Sequence, residues 1–285
     1  MKISIGTAQF DKKYGVNRGK SKFDFFLKKQ LIKTAGKFNI RTIDTATSYK
    51  NAEKELGKIG LNGFNLITKL PKIKKQNINL EKWVTFSLKR SLDKLKVKNI
   101  YGLLIHHPKD LNKKNRKTYI NALVKVKEKK LVKKIGVSLY DVEDIGKILK
   151  FWKPDIIQIP YNVIDRRLEK NSFFKRIKKN KIEIHVRSIF LQGLLTKRER
   201  PKKFYKWDNL LDRWFYWCKS KNLEPFQAAY LYVKKIKEID KVVIGFDNLK
   251  QMRDLVKINK KHVSNFPNLE CKDKMLLNPY NWNNL

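Results

Sequence analysis

The sequence predicts a single-domain α/β protein with the (β/α)8, or TIM-barrel, fold and an irregular C-terminal tail. Short apolar runs alternate with longer amphipathic stretches eight times, which is the pattern of a parallel sheet with crossover helices. The 285 residues slightly exceed the roughly 250 that such a barrel needs. An open doubly wound sheet is the main alternative, but its Gly-x-Gly-x-x-Gly fingerprint is absent after the first strand. We therefore expect a barrel over residues 1–261 and a tail over residues 262–285.

The first half of the chain provides three strand–helix units and a fourth strand. Ser21 and Asp24 have the spacing of a capping box and predict the start of the first helix. Tyr101–His106 is almost continuously apolar, as is typical of a strand buried on both faces. The predicted strands are Ile3–Gly6, Arg41–Asp44, Phe64–Lys69 and Tyr101–His106, and the predicted helices cover Phe25–Ile32, Ala52–Ile59 and Trp83–Leu95.

The second half continues the alternation to an eighth strand and a last helix. Its apolar runs are short and are separated by stretches with helical periodicity. Pro267, Pro279 and several asparagines then favour an irregular tail. The predicted strands are Ile135–Ser138, Asp155–Ile159, Ile182–Val186 and Lys241–Ile244, and the predicted helices are Arg116–Lys130, Val142–Phe151, Phe173–Lys179, a long region Leu210–Lys235, and Leu249–Ile258.

The chain carries an unusually large positive charge, with 67 Lys and Arg against 26 Asp and Glu and a net charge of +41. Such a balance raises nucleic acid or an anionic surface as a partner. The basic residues are mostly lysines spread along the whole chain, however, and no helix-turn-helix, RNA-binding aromatic signature or zinc finger is present. We expect a solvated basic surface and no specific nucleic-acid partner.

Cysteine usage and apolar patterning favour a reducing, cytoplasmic location. Cys218 and Cys271 lack metal-binding or redox spacing, and no metal site is expected. Residues 1–6 do not resemble a signal peptide. No apolar run approaches the roughly 18 residues that cross a bilayer. A highly charged monomer is the default expectation for the oligomeric state.

Polar side chains with complementary chemistry stand at the ends of three consecutive strands. Asp44 ends the second strand, with Tyr49 five residues later, and Lys69 and His106 end the third and fourth. Active sites of such barrels form at these carboxyl ends. Carbonyl reduction needs a proton donor for the oxygen that gains charge, and Tyr49 is the candidate. Lys69, held by Asp44, would lower the pKa of the phenol, and His106 would orient the substrate oxygen.

Each of these residues also has an ordinary structural explanation. Asp44 could cap the following turn, and Tyr49 could simply pack in a loop. Lys69 could lie in solvent, and His106 could have a purely structural role. Their joint placement at successive strand ends is much harder to explain by chance, so the set favours a catalytic site.

These residues lie within motifs through which the chain resembles the aldo-keto reductases. The resemblance spans about residues 1–260 and implies that Asp44, Tyr49, Lys69 and His106 form the catalytic set, with Tyr49 as the proton donor. His107 stands where the family often has Trp and would line the substrate pocket with Tyr49 and His106. The matching segments are Ile43-Asp44-Thr45-Ala46-x-x-Tyr49-x-x-Ala52-Glu53-x-x-Leu56-Gly57, Ile67-Thr68-Lys69, Leu103-Leu104-Ile105-His106-x-Pro108, Lys134–Ser138 and Asp155–Gln158.

The same resemblance implies a nicotinamide cofactor. Ser138 and Gln158 match residues that hold the nicotinamide carboxamide, whereas Leu139 replaces a usual Asn and Arg187 a Tyr that stacks on the ring. Backbone N–H groups at the start of the last helix would bind phosphate. The implied cofactor contacts are Thr7, Asp44, Ser138, Gln158, Arg187, Ser188, Gly193, Gly245 and Asn248.

Two further departures from the family pattern bear on the cofactor and on the backbone. Phe246 stands where many members have a Lys that holds the extra phosphate of NADP, and Lys250 or Arg253 would have to substitute. NADP(H) is therefore favoured over NAD(H) by family habit alone. Lys50 replaces a frequent Gly, and we expect it to be tolerated at negative φ.

The sequence thus predicts an NADP(H)-dependent oxidoreductase that reduces an aldehyde, ketone or sugar carbonyl. Arg187–Leu195 looks like the branch that is often associated with surface polysaccharides, and Lys-rich, aromatic loops would suit a polar, sugar-like ligand. Two other hypotheses stay open: a catalytically silent barrel acting as a cofactor-binding or regulatory subunit, and a binder of nucleic acid or anionic surfaces.

Overall fold

Eight parallel strands close into a barrel in sequence order, with β1 paired to both β2 and β8. The computed structural model describes residues 2–10, 15–16, 23–74 and 78–284. The predicted barrel is therefore confirmed. The strands are β1 Ile3–Gly6, β2 Thr42–Asp44, β3 Asn65–Leu70, β4 Ile100–Ile105, β5 Val132–Ser138, β6 Ile156–Pro160, β7 Glu183–Arg187 and β8 Lys241–Ile244.

Helices surround the barrel and bury one face each against the strands. The interior is filled from alternate strand positions, where Ile67, Leu104 and Ile156 form a small cluster separate from the main core. Successive strand residues face opposite sides, so Lys69 shares the interior face of β3 with Ile67. The helices are α1 Phe25–Lys37, α2 Ala52–Ile59, α3 Leu80–Leu95, α4 Arg116–Glu128, α5 Glu143–Leu149, α6 Phe173–Lys179, α7 Asp208–Ser220, α8 Pro225–Lys234, α9 Leu249–Ile258 and α10 Lys274–Leu277.

The structure divides one of the predicted helices and describes the start of another only in part. The predicted helical region Leu210–Lys235 is divided into α7 and α8, because Pro225 lacks an N–H and its ring clashes with a preceding helical turn. Glu224 and Gln227 form a capping box at the new start. The Ser21 prediction lies outside the described residues. The side chain of Asp24 caps α1 by accepting from the N–H of Leu27 at 2.9 Å.

The C-terminal tail is less irregular than predicted. It contains α10 and a 3-10 turn, and it buries Leu269, Leu276 and Trp282 against the barrel. The Trp282 ring packs edge-on against Phe204, with 4.8 Å between centroids. This packing carries Tyr280 to the barrel mouth, where its hydroxyl lies 3.0 Å from that of Tyr140.

Candidate active site

A buried ion pair joins the ends of β2 and β3. The Lys69 ammonium donates to Asp44 Oδ1 at 2.6 Å and to the backbone oxygen of Thr45 at 2.9 Å. The side chains of Lys69 and Asp44 are only 1% and 3% exposed. Burial lowers the pKa of Lys69, and the neighbouring Asp44 carboxylate opposes that shift. The pair thus holds a cation and an anion in fixed positions below the barrel mouth.

Hydrogen bonds from neighbouring strands fix the Asp44 carboxylate and backbone. The amide of Gln158 donates to Asp44 Oδ2 at 2.7 Å, and the Ser138 hydroxyl donates to Gln158 Oε1 at 3.2 Å. Thr7 Oγ1 donates to the Asp44 backbone oxygen at 3.1 Å. Four of the residues predicted from sequence therefore form one network at the ends of β1, β2, β5 and β6.

The Tyr49 ring lies beside the ion pair. Lys69 Nζ is 5.4 Å from its centroid, and the ring meets His106 edge-on at 6.0 Å between centroids. Burial and then the Asp44 charge raise the pKa of Tyr49 above its usual value, while Arg187 opposes the shift. The expected lowering of this pKa by Lys69 is not found, because burial of the phenol is the largest effect and the Asp44 carboxylate adds to it. The phenol is therefore protonated at neutral pH.

His106 is a neutral imidazole in this environment. Burial, followed by the charges of Lys69, His107 and Arg187, lowers the pKa of His106 to about 2. Its Nδ1 lies 3.3 Å from the hydroxyl of Ser48. When Ser48 donates to Nδ1, the proton of the ring stays on Nε2, which is then a hydrogen-bond donor.

His107 does not line the cavity that contains Tyr49 and His106, contrary to the sequence-based expectation. Its ring packs on His106 with 5.1 Å between centroids, and the residue precedes the 3-10 turn Pro108–Asp110. His107 directly follows His106, and successive side chains at the end of a strand point in different directions. The side chain of His107 is therefore directed away from the mouth cavity.

Two cavities adjoin at the mouth of the barrel. The mouth cavity, about 490 Å³, contains Tyr49, His106, Asp44 and Gln158. The β8 cavity, about 340 Å³, lies over the loop after β8 and reaches Phe246. They share part of their lining, which consists of Gln9, Gly15, Ser188, Gln192, Val243 and Gly245.

The cofactor residues expected from sequence are distributed unevenly around these cavities. Thr7, Asp44, Gln158, Arg187, Ser188 and Gly245 line the mouth cavity, and Gly193 lines the β8 cavity. Ser138 lies behind Gln158 and acts on it through the hydrogen bond. Asn248 lines neither cavity; its side chain caps α9 by accepting from the N–H of Gln251 at 2.9 Å.

Arg187 and two tyrosines form a cluster that sequence reasoning saw only in part. The guanidinium of Arg187 lies 4.6 Å from the Tyr140 centroid and donates to the Leu139 backbone oxygen at 2.9 Å. Tyr140 stands two residues after β5, so the strand-end rule could have found it. No sequence signal pointed to Tyr280, which reaches the cavity from the distant tail.

A closed parallel barrel with a lysine–carboxylate pair, a phenol and an imidazole at its carboxyl-terminal mouth defines a barrel enzyme. The model of the aldo/keto reductase family matches residues 2–267. The chain belongs to this family, and it is therefore an oxidoreductase of carbonyl compounds. No curated protein matches the sequence significantly.

Solved structures of aldo-keto reductases share the fold of this chain. The holo form of an aldo-keto reductase from Bacillus halodurans is 18% identical, with a TM-score of 0.75 over 92% of this chain and 88% of that one. A putative aldo-keto reductase from Pseudomonas aeruginosa is also 18% identical, with a TM-score of 0.66 over 90% and 89%. At this identity the likeness concerns the fold.

Proposed function

We propose that the chain reduces a small carbonyl compound with a reduced nicotinamide cofactor, and that Tyr49 donates the proton. The observation that carries this proposal is the protonated Tyr49 phenol in the mouth cavity, beside the Lys69–Asp44 pair and edge-on to His106. A proton donor, a fixed cation and a neutral hydrogen-bond donor are the groups that carbonyl reduction needs.

The donor set at the mouth suits the carboxamide of a nicotinamide. Gln158 Oε1 retains acceptor capacity beside its bond from Ser138, so it could accept from the amide N–H of a carboxamide. The bound cofactor would supply the hydride. The neighbouring mouth and β8 cavities would give the rest of a dinucleotide a place to lie.

The substrate oxygen would be acted on by three residues with different roles, Tyr49, Lys69 and His106. An alkoxide is far more basic than a phenolate, so Tyr49 gives up its proton even though its pKa is raised. The Lys69 ammonium then stabilises the phenolate. His106, neutral because its pKa is lowered to about 2, donates from Nε2 and orients the oxygen without competing for the proton.

Several finer expectations belong to this proposal. Family habit favours NADPH as the hydride source, and the aromatic and polar residues Tyr140, Tyr280 and Asn283 around the mouth suit a sugar-derived substrate. Within the described residues no helix is long and apolar enough to cross a membrane. We propose a monomer that works in a reducing compartment such as the cytoplasm, where Cys218 and Cys271, both unpaired, would stay reduced.

The second candidate is a barrel that binds the cofactor without turnover. The Lys69–Asp44 pair favours the enzyme, because a buried ion pair is costly to keep where no charge has to be stabilised. Turnover decides between the two candidates.

The assay follows nicotinamide absorbance with NADH or NADPH and a panel of aldehydes and deoxy-ketosugars. Tyr49→Phe removes the hydroxyl but keeps the ring, so kcat should fall by about 100-fold or more while the cofactor Kd changes little. Tyr216→Phe, on a surface residue 78% exposed, is the matched control. Unchanged kcat in Tyr49→Phe would exclude Tyr49 as the acid, and cofactor binding with no turnover of any substrate would favour the silent barrel.

A further inference from the structure

The β8 cavity has an unexpected charge for this protein. Among the described residues that line it, Asp247 and Glu224 are acidic and Lys197 is the one cation. The chain as a whole carries a net charge of +41, so a lining with more carboxylates than ammonium groups is a local reversal. Such a reversal points to a ligand group that is not a phosphate.

The position of the mouth cavity fixes which part of a dinucleotide would occupy the β8 cavity. The reacting ring must lie beside Tyr49 and Gln158, so the adenosine half extends past Gly245. Phe226, Phe246 and Leu255 supply apolar surface there, as an adenine ring needs. The adenosine ribose would then lie near the two carboxylates.

Asp247 is available to a ligand. It is exposed, and within the described part of the chain its carboxylate has no hydrogen-bond or ion-pair partner; its backbone N–H donates to Gln251 Oε1 at 2.9 Å. Glu224 is partly engaged, because its side chain accepts from the backbone at the start of α8. Carboxylates accept hydrogen bonds from the two hydroxyls of a ribose and repel a phosphate on the same sugar.

The two cations that the sequence offered for the 2′-phosphate of NADP, Lys250 and Arg253, lie outside the β8 cavity. Lys250 does not line the β8 cavity, and its ammonium donates to Asp254 at 2.8 Å on the outer face of α9. Arg253 is exposed and lines neither cavity. Phe246 is buried and carries no charge. Among the described residues that line the β8 cavity, Lys197 is the one cation that could meet the extra phosphate.

We infer that this chain prefers NAD(H) to NADP(H), with Asp247 as the residue that discriminates against the 2′-phosphate and Glu224 in support. The inference rests on the proposed use of a nicotinamide cofactor and replaces the preference expected from family habit. The long-range field of a strongly basic protein attracts the more negative NADPH more strongly than NADH. The carboxylates of the β8 cavity act at short range and oppose this attraction.

Calorimetric titration of the full chain with NADH and with NADPH, at a constant ionic strength of about 0.15 M, tests the inference without any substrate. NADH should bind at least about tenfold more tightly than NADPH. Asp247→Asn should reduce the ratio of the NADPH Kd to the NADH Kd. Asp247→Arg should shift this ratio in favour of NADPH by at least about tenfold, because a guanidinium that binds phosphate replaces a carboxylate.

Asp144→Asn and Asp144→Arg are matched controls, because they make the same changes of net charge at a half-buried residue of α5 that pairs with Lys147 and lines neither cavity. In both control variants, the ratio of the NADPH Kd to the NADH Kd should equal that of the parent chain. Tighter binding of NADPH by the parent, or a ratio unmoved in the Asp247 variants, would overturn the inference and leave the reductase proposal standing. Absence of binding by both cofactors would overturn the reductase proposal as well.

Discussion

The Lys69–Asp44 pair sets the electrostatics of its neighbours. Two buried charges lose their hydration, and their attraction offsets that loss only when hydrogen bonds satisfy the remaining atoms. Here Gln158 and the Thr45 backbone oxygen provide those bonds. Burial of the phenol and then the Asp44 charge raise the pKa of Tyr49, which is why the neighbouring ammonium does not make Tyr49 more acidic.

Lys50 has a backbone conformation that differs from the expectation. Its φ is 41°, in the left-handed region, so the negative φ at which a non-glycine residue is tolerated without strain is not present. A Gly reaches this region without steric strain, which explains the frequent Gly of the family at this position. Backbone strain immediately after Tyr49 is typical of a functional turn.

His106 makes stability depend on pH. Its folded pKa of about 2 lies below the ordinary value of 6.5, so the unfolded chain binds a proton that the folded chain refuses. The free energy of unfolding should therefore fall as pH drops below 6.5, by about 1.4 kcal/mol per pH unit from this residue.

Urea unfolding between about pH 7 and pH 5 checks this slope. His106→Gln cannot titrate in this range and should show a shallower dependence, whereas His262→Gln, at an exposed residue of the tail, should keep the slope of the parent. Identical slopes in the parent and His106→Gln would contradict a neutral, buried imidazole.

At the scale of the elements, the segment Ala52–Gly57 positions the site rather than taking part in it. Glu53 is buried in α2 and accepts from the Thr68 hydroxyl at 2.7 Å, one residue before Lys69. Gly57 lies against the end of α3, where an added Cβ would come 2.1 Å from the Lys94 backbone oxygen. These residues of the matching segment therefore hold α2 against β3 and α3.

Gly57→Ala should lower the free energy of unfolding by about 2–4 kcal/mol, because a backbone carbonyl has to move to admit the methyl group. Gly146→Ala is the matched control in another helix: its Cβ would meet nothing closer than 3.8 Å, so the better helix propensity of Ala should stabilise it by up to about 1 kcal/mol. Chemical denaturation of both variants measures the difference, and equal effects would show that α2 and α3 are not in close contact.

At the scale of the whole molecule, the net charge of +41 works against the compact state. Like charges repel one another more strongly when the chain is folded, and salt screens that repulsion. Ion pairs such as Lys125–Glu81 and Lys147–Asp144 lie at the surface, where each contributes little. Repulsion should therefore exceed the gain from surface pairs.

Raising NaCl from about 0.05 M to about 0.5 M, which shortens the screening length to a few ångströms, should raise the melting temperature. Chloride is preferred to sulfate for this measurement, since sulfate strengthens apolar burial by itself. A melting temperature that falls or stays constant would show that the surface ion pairs already balance the repulsion.

The order of strands and helices and the side chains at the strand ends could both be predicted from the sequence alone. Both are local properties: apolar periodicity defines each element, and parallel strands bring their carboxyl ends to one rim. Asp44, Tyr49, Lys69 and His106 were found in this way, and the structure places them together. The break at Pro225 was also readable from local chemistry but was missed.

The burial, the neighbouring charges and the hydrogen-bond partners of these groups could not be predicted in the same way, because they depend on the fold. The raised pKa of Tyr49, the neutral His106 and the support from Ser48 depend on burial and on charges from other strands. Tyr280 reaches the mouth because the tail packs through Trp282, far away in sequence. Periodicity reports which face of an element is buried, whereas the identity of the neighbour across a contact is fixed only when distant segments meet.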